Sequence, residues 1–219
     1  EGGKKALVGY WPAGFPDVDA SIEAVLTMVD AGCDIIEIGL PYSDPVMDGP
    51  VVQAAAQQAL ESGVRTRDVM RVVEAVAATG TPTVVMTYWN PVDRYGVEKF
   101  AADLAAAGGS GLITPDLTPD SGADWISAAD AHELDKIFLV SPSSTDERLR
   151  MTVAECRGFI YATAVMGVTG VRAATSSLAG PLVRRTKALT DTPVGVGLGV
   201  STGDQAAEVA GFADAVIVG

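Results

Sequence analysis

Histidine occurs once in these 219 residues and cysteine twice, which leaves little material for a metal centre or a disulfide framework. His132 closes a predicted helix with no Cys or His at ligand spacing, so no metal-ligand cluster is read. Cys33 and Cys156 open or precede apolar runs that read as buried strands, where a small apolar thiol is ordinary. A reducing, cytoplasmic compartment fits that usage. Basic runs are missing too: 15 Lys and Arg stand against 28 Asp and Glu, a formal charge of −13. Nucleic acids and anionic membranes need a basic patch, so neither is expected as a partner. No stretch of 18 or more apolar residues occurs and no charged-then-apolar leader opens the chain, so neither a membrane span nor a signal peptide is read. With 48% hydrophobic and 20% charged residues, what remains is a globular chain with a large core.

Short β-rich apolar runs alternate with helical patterns from end to end. Strands are expected at Ala6–Trp11, Cys33–Gly39, Thr83–Tyr88, Gly111–Thr114, Ile137–Val140, Phe159–Thr163, Val194–Gly197 and Ala215–Val218. Between them lie helical stretches: Asp19–Ala31, with Ile22, Val25, Leu26 and Val29 on one face, then Pro50–Leu60, Arg67–Ala78, Val97–Ala107, a helix around Trp125 and Ile126, Arg148–Ala154, Leu182–Leu189 and Gly203–Ala210. Trp89-Asn90-Pro91 reads as a loop, and Ser143, Ser144 and Thr145 offer N-caps. Most strands are apolar on both faces, the pattern of a parallel sheet covered by helices. The number of strands favours a closed (β/α)8 TIM barrel over an open doubly wound sheet, as one domain over 1–219. Ala31-Gly32, Ala107-Gly108 and Ala210-Gly211 form a weak repeat, each ending a helix before an apolar strand.

One strand carries an acid where the pattern calls for a hydrocarbon. On a period of two, Cys33, Ile35 and Glu37 share one face and Ile36 and Ile38 the other, so Glu37 belongs in the core with Ile35. An unpaired buried carboxyl raises its pKa towards neutrality and becomes able to give and take a proton. Asp48 offers a second carboxylate from the Gly/Pro-bounded loop that follows, and two carboxyls in different surroundings can divide proton transfer from charge stabilisation. The plainer alternatives are a Glu capped by a neighbouring Arg and, for Asp48 before Gly-Pro, turn chemistry. Asp44 before Pro45 reads as a turn residue.

The loops after strands 6 to 8 are rich in glycine: Gly167-Val168-Thr169-Gly170, then Gly195-Val196-Gly197-Leu198-Gly199-Val200-Ser201, then Gly219. In a barrel these lie beside the loop after strand 2. Glycine lets backbone N–H groups approach an anion, so a phosphate can be held here with only Arg172 near. Gly-Val-Gly-Leu-Gly does not match a dinucleotide fingerprint.

Together, Tyr10-Trp-Pro-Ala-Gly-Phe-Pro, Glu37-Ile-Gly-Leu-Pro-Tyr-Ser-Asp-Pro-Val-Met-Asp-Gly-Pro, Tyr88-Trp-Asn-Pro, Tyr161 with Gly167-Val-Thr-Gly, and Gly197-Leu-Gly-Val resemble the tryptophan synthase α-subunit family over essentially the whole chain. The resemblance implies cleavage of the phosphorylated substrate indole-3-glycerol phosphate to indole and glyceraldehyde 3-phosphate, with no cofactor on this chain. It implies Glu37 as general acid/base and Asp48 as the carboxylate that stabilises charge on the indole nitrogen. Tyr161 would line the site, Thr169 would close over substrate and bond Asp48, and Gly170, Gly199 and Gly219 would cradle phosphate. Asp44 would contact a β subunit in an α2β2 assembly, where pyridoxal phosphate is expected on the β subunit only. The family has a helix before strand 1 and, after Gly219, a serine and a final helix; this sequence has neither and reads as trimmed at both ends. A second enzyme reading, another phosphosugar barrel such as an epimerase or isomerase or a free-standing indole-releasing lyase, and a non-catalytic module that activates a partner are the competing readings. The Glu37 to Pro50 segment disfavours the first and the two carboxylates the second.

Overall fold

The computed structural model describes residues 4–163, 175–197 and 199–219. In chain order these form β1 (Ala6–Pro12), α1 (Val18–Asp30), β2 (Ile35–Gly39), α2 (Pro50–Glu61), α3 (Thr66–Ala77), β3 (Thr83–Met86), α4 (Trp89–Tyr95), α5 (Val97–Ala106), β4 (Gly111–Thr114), α6 (Ala123–Ala131), β5 (Asp135–Val140), α7 (Asp146–Glu155), β6 (Ile160–Thr163), α8 (Thr175–Lys187), β7 (Val194–Gly197), α9 (Gly203–Ala210) and β8 (Ala215–Val218). The strands are parallel and pair in sequence order, and β8 returns to β1 with Ala6 opposite Ala215, closing a TIM barrel.

The two-residue period of each strand divides the core into an inner and an outer layer. Val8, Val84, Ile113, Ile137, Tyr161 and Ile217 point into the barrel, with Ile35, Met86 and Leu139 packed on them. Their neighbours point outwards: Ile36, Ile38, Val85 and Leu112 meet Phe100, Leu104 and Trp125 on the helices. On the other half Ile160, Val194 and Val196 meet Leu149, Leu182 and Val209. Strand β7 breaks the rule of filling from both sides. A Cβ on Gly195 would sit 3.3 Å from Phe159 and Ile217, and one on Gly197 would overlap the Tyr161 hydroxyl. Its inner face therefore carries no side chain, and the aromatic rings of 159 and 161 occupy that volume.

Four expectations are corrected. Trp89-Asn90-Pro91 opens α4 instead of forming a loop. Pro91 falls in the first turn, where its N–H would be unpaired anyway, and the Trp89 N–H is met by both carboxylate oxygens of Asp116 at 2.9 and 3.1 Å. Cys33 lies before β2 and packs on the outer layer, so the inner face of that strand begins at Ile35. Helix α8 starts at Thr175, ahead of the predicted Leu182, with Pro181 inside it. Burial of Ala179, Leu182 and Val183 on one face outweighs the missing N–H of that proline. Strand β5 begins two residues before the predicted Ile137, at Asp135. The other strand and helix ends fall within two residues of expectation, and Thr145 is the N-cap of α7, accepting from Arg148 N–H.

The far end of the barrel is held by a recurring device. The residue just before one strand accepts the N–H of the strand preceding it: Asp34 from Leu7 at 2.9 Å, Ser110 from Thr83 at 3.4 Å and Asp214 from Val194 at 3.0 Å. Gly32 and Gly108, with φ of 100° and 80°, make the left-handed helix exits that lead into two of these clamps. Gly211 has φ −63° and ends α9 without that turn, so the third copy reaches its clamp differently.

Asp214 also receives Lys187 Nζ at 2.6 Å and Lys5 Nζ at 3.5 Å. Burial pushes its carboxyl up, but the hydrogen bonds from Lys187 and Val194 hold it below the ordinary value. Its stabilising effect is therefore complete above the unfolded carboxylate pKa and is lost as pH falls through the lower folded value. In urea titrations at pH 7, Asp214→Ala is expected to cost about 1–3 kcal/mol through the orphaned Val194 N–H. Asp214→Asn keeps an acceptor and should cost less than half as much; equal losses would show that the ion pairs, and not the clamp, matter.

Candidate active site

Glu37 sits on the inner face of β2, opposite Tyr10 on β1 and Val84 on β3. Its residue surface is 3% exposed, and its Oε2 has no hydrogen-bond partner. Among the described residues it makes no ion pair, so the alternative of an arginine-capped strand end is set aside. Burial raises its pKa, and the charge of Asp48 raises it further, to about 8. At neutral pH this carboxyl carries its proton.

Asp48 ends the loop between β2 and α2. Gly49 is the N-cap of α2 and Pro50 its first residue, which fixes the chain immediately after the acid. Gln53 Nε2 donates to the Asp48 carbonyl at 2.7 Å. The Tyr88 hydroxyl, from the end of β3, accepts the Val46 and Met47 N–H groups at 3.2 and 3.0 Å and donates to Asp48 Oδ1 at 3.3 Å. Burial pushes the Asp48 carboxyl up while the Tyr88 bond pulls it down. Asp44 lies elsewhere on the same loop, exposed, accepting from its neighbour Ser43 Oγ at 2.6 Å.

The two carboxylates line one small pocket at the mouth of the barrel, with Tyr161 and with Met47, Met86, Ile113, Pro115 and Leu139. No Lys or Arg is among these lining residues. An apolar slot with a protonated acid on one side and an ionisable one on the other suits a flat, weakly polar substrate that must gain a proton and carry positive charge for a moment.

Tyr161 is where the sequence places it, buried on β6 and facing inwards, with its phenol held well above its ordinary pKa by burial and then by Glu37. Gly199 has φ +89°, a conformation that disfavours side chains. Gly219 follows β8 with its Cα against the Tyr10 ring, where a Cβ would lie 3.1 Å from Cδ1. Thr169 and Gly170 fall outside the described residues. Gly195 and Gly197, which the sequence suggests as phosphate-loop glycines, are instead strand residues that make room for aromatic rings.

Sequence reasoning missed two residues. Tyr10 shares the inner face of β1 with Val8, and its hydroxyl rests where a Cβ on Gly39 would be; burial, then Asp48 and Glu37, keep that phenol protonated. Tyr88 follows β3 and reaches back to the β2 loop. The inward alternation on β1 was a usable signal for Tyr10. Tyr88 had none, because its partners lie 40 to 42 residues away.

The family model for the tryptophan synthase alpha chain matches residues 1–219. The tryptophan synthase alpha chain of Salinispora tropica is 64% identical over 217 residues, covering 99% of this chain and 81% of that protein. That of Thermobifida fusca is 60% identical over 220 residues, covering 99% and 82%. Among solved structures, Mycobacterium tuberculosis tryptophan synthase superposes with TM-score 0.94 at 58% identity, covering 99% of this chain and 83% of that one. The alpha subunit from Legionella pneumophila does so with TM-score 0.88 at 34% identity, covering 99% and 80%.

Since a Cβ at 197 would overlap the buried phenol of Tyr161, Gly197→Ala must displace that ring. The expected cost is about 1–3 kcal/mol of stability, with weakened binding of indole-like ligands. Gly203→Ala, where a Cβ meets nothing within 4 Å, is the matched control and should leave both unchanged. Indistinguishable urea midpoints for the two variants would contradict this packing.

Proposed function

Because this chain belongs to the tryptophan synthase alpha chain family, we propose that Glu37 and Asp48 are the catalytic pair of the family's reaction. The chain is a carbon–carbon lyase: it cleaves indole-3-glycerol phosphate to indole and glyceraldehyde 3-phosphate as the alpha subunit of tryptophan synthase, in tryptophan biosynthesis. Neutral Glu37 delivers its proton to the indole carbon that bears the glycerol chain. The ring becomes cationic at nitrogen, and ionised Asp48 stabilises that charge in a site where water does not screen it. The side-chain hydroxyl then loses its proton to the Glu37 carboxylate, its O–H electrons form the aldehyde, and the broken carbon–carbon pair returns to the ring. Glu37 ends protonated, as it began.

What carries this reading is the enclosed carboxyl of Glu37, its Oε2 without a partner among the described residues, lining one apolar pocket together with Asp48. Tyr161 walls the indole side. Gly199 and Gly219, with Gly170, cradle the phosphate, and Thr169 closes over the substrate and bonds Asp48. No step calls for a cofactor on this chain; pyridoxal phosphate acts on the partner β subunit of an α2β2 assembly. Asp44 faces that subunit, on a loop whose Val46 is 76% exposed; Val51 of α2 is 80% exposed. No described helix is long and apolar enough to cross a membrane, and a cytoplasmic site of action fits this assembly.

Glu37→Gln keeps the shape and removes the acid, so indole release is expected to fall by about 10²–10⁴-fold with substrate-analogue binding retained. Wild-type kcat/KM should fall as pH rises through about 8, where Glu37 loses its proton. Asp48→Asn is also expected to slow cleavage. It removes the charge that helps hold the Glu37 proton, so whatever activity remains should lose its alkaline limb at lower pH than wild type. Indole release by the Gln variant at the wild-type rate would falsify the assignment of Glu37, and an unmoved alkaline limb in the Asn variant would refute the coupling of the pair.

A further inference from the structure

We propose that Tyr88 is a positioning residue for this reaction: its single phenolic oxygen pins the loop after β2 and sets the Asp48 carboxylate against the pocket. This rests on the role of Asp48 given above.

A phenol has one proton to donate and two lone pairs to accept with. Tyr88 spends all three on one loop, accepting from Val46 and Met47 N–H and donating to Asp48 Oδ1. At 3.3 Å the last is the weakest of the three for an O–H donor, so the backbone anchor dominates and the carboxylate contact refines it. The loop has few other holds. Among the described hydrogen bonds of residues 41–48 to the rest of the chain, those to main-chain atoms come from Tyr88 and from Gln53, which reaches the Asp48 carbonyl. Val46, held only through its N–H, is otherwise largely in water. Without the pin, the segment carrying Asp48 is a surface loop tied at its two ends.

The pin itself is rigid. The Tyr88 residue surface is 3% exposed, and its ring packs on Tyr42 with centroids 5.4 Å apart. The next residue starts α4, whose first N–H is held by Asp116. The hydroxyl therefore occupies a point fixed by β3 and α4, and it transfers that fixed position to a loop with few other holds on its main chain.

The same contact favours the charged form of Asp48. The groups facing Asp48 are Glu37 from β2, Tyr10 from β1, Tyr161 from β6 and Tyr88 from the end of β3. No described cation is among them, and Tyr88 is the one described hydrogen-bond donor to its carboxylate. Burial works against ionisation and Tyr88 works for it.

The test is Tyr88→Phe in the full chain, which keeps the ring and removes the oxygen. Cleavage is expected to fall at least tenfold in kcat/KM. The acid limb of the pH profile, where Asp48 gains its proton, should move to higher pH. A ¹³C titration of the Asp48 side chain, read on the folded variant whatever its turnover, should show the same upward move. In a cycle with Asp48→Asn, the double variant should be no slower than Asp48→Asn alone, because Tyr88 acts through that carboxylate. Multiplying losses in the double variant, or an acid limb and a carboxyl titration unchanged in Tyr88→Phe, would overturn the proposal while a slow Asp48→Asn leaves the role of Asp48 standing. If Asp48→Asn itself cleaves at the wild-type rate, the role of Asp48 fails and the proposal falls with it.

Discussion

A carboxyl group enclosed in a barrel of hydrocarbon, with no cation among the described residues to neutralise it, is the condition the rest of this molecule is arranged around. Leaving Glu37 charged there would be costly, so the site keeps it neutral and the proton becomes available for transfer. That state depends on surroundings supplied by distant parts of the chain. Outward-facing Ile36 and Ile38 lock β2 against the helices, while Val84, Ile113 and Ile137 keep water from the inner face. Asp48 adds a second, negative, influence from above. The three phenols of Tyr10, Tyr88 and Tyr161 contribute polar groups that stay protonated and so add no charge of their own at neutral pH.

The two acids differ in how they are held, and the difference matches their tasks. Glu37 is built into a strand, at a position given by register with its neighbours on both sides. Asp48 stands on a loop and owes its place to side chains from elsewhere. A proton donor that must meet one ring carbon benefits from a strand's rigidity. A carboxylate that stabilises charge can sit on a loop provided another side chain fixes it, as Tyr88 does here.

Much of this was legible in the sequence because much of it is local. Alternation with a period of two placed Glu37 with Ile35 inside, and turn residues placed Asp48 in the following loop. Helix α4 was misread because Asn-Pro is a poor helix start in isolation; Asp116, 27 residues away, satisfies its first N–H. The glycines of β7 were taken for an anion loop because a Gly-Val-Gly run looks alike whether it faces a phosphate or a tyrosine. Only the register of β6 with β7, Tyr161 beside Gly195 and Ala162 beside Val196, distinguishes the two. Tyr88 illustrates the same limit: its importance lies wholly in what the fold brings to its hydroxyl.

The ring closure of the barrel has a consequence for how the chain comes together. The clamps of Asp34, Ser110 and Asp214 each join points 20 to 27 residues apart, so each can form within one strand–helix–strand unit. The β1–β8 seam joins Ala6 to Ala215, a far longer separation in sequence. Its closing entropy exceeds that of a clamp by about 2 kcal/mol. By that measure the seam is the costliest of these pairings to close. Asp214, which caps β7 on one side and takes Lys5 from ahead of β1 on the other, sits at that join like the clasp of a bracelet.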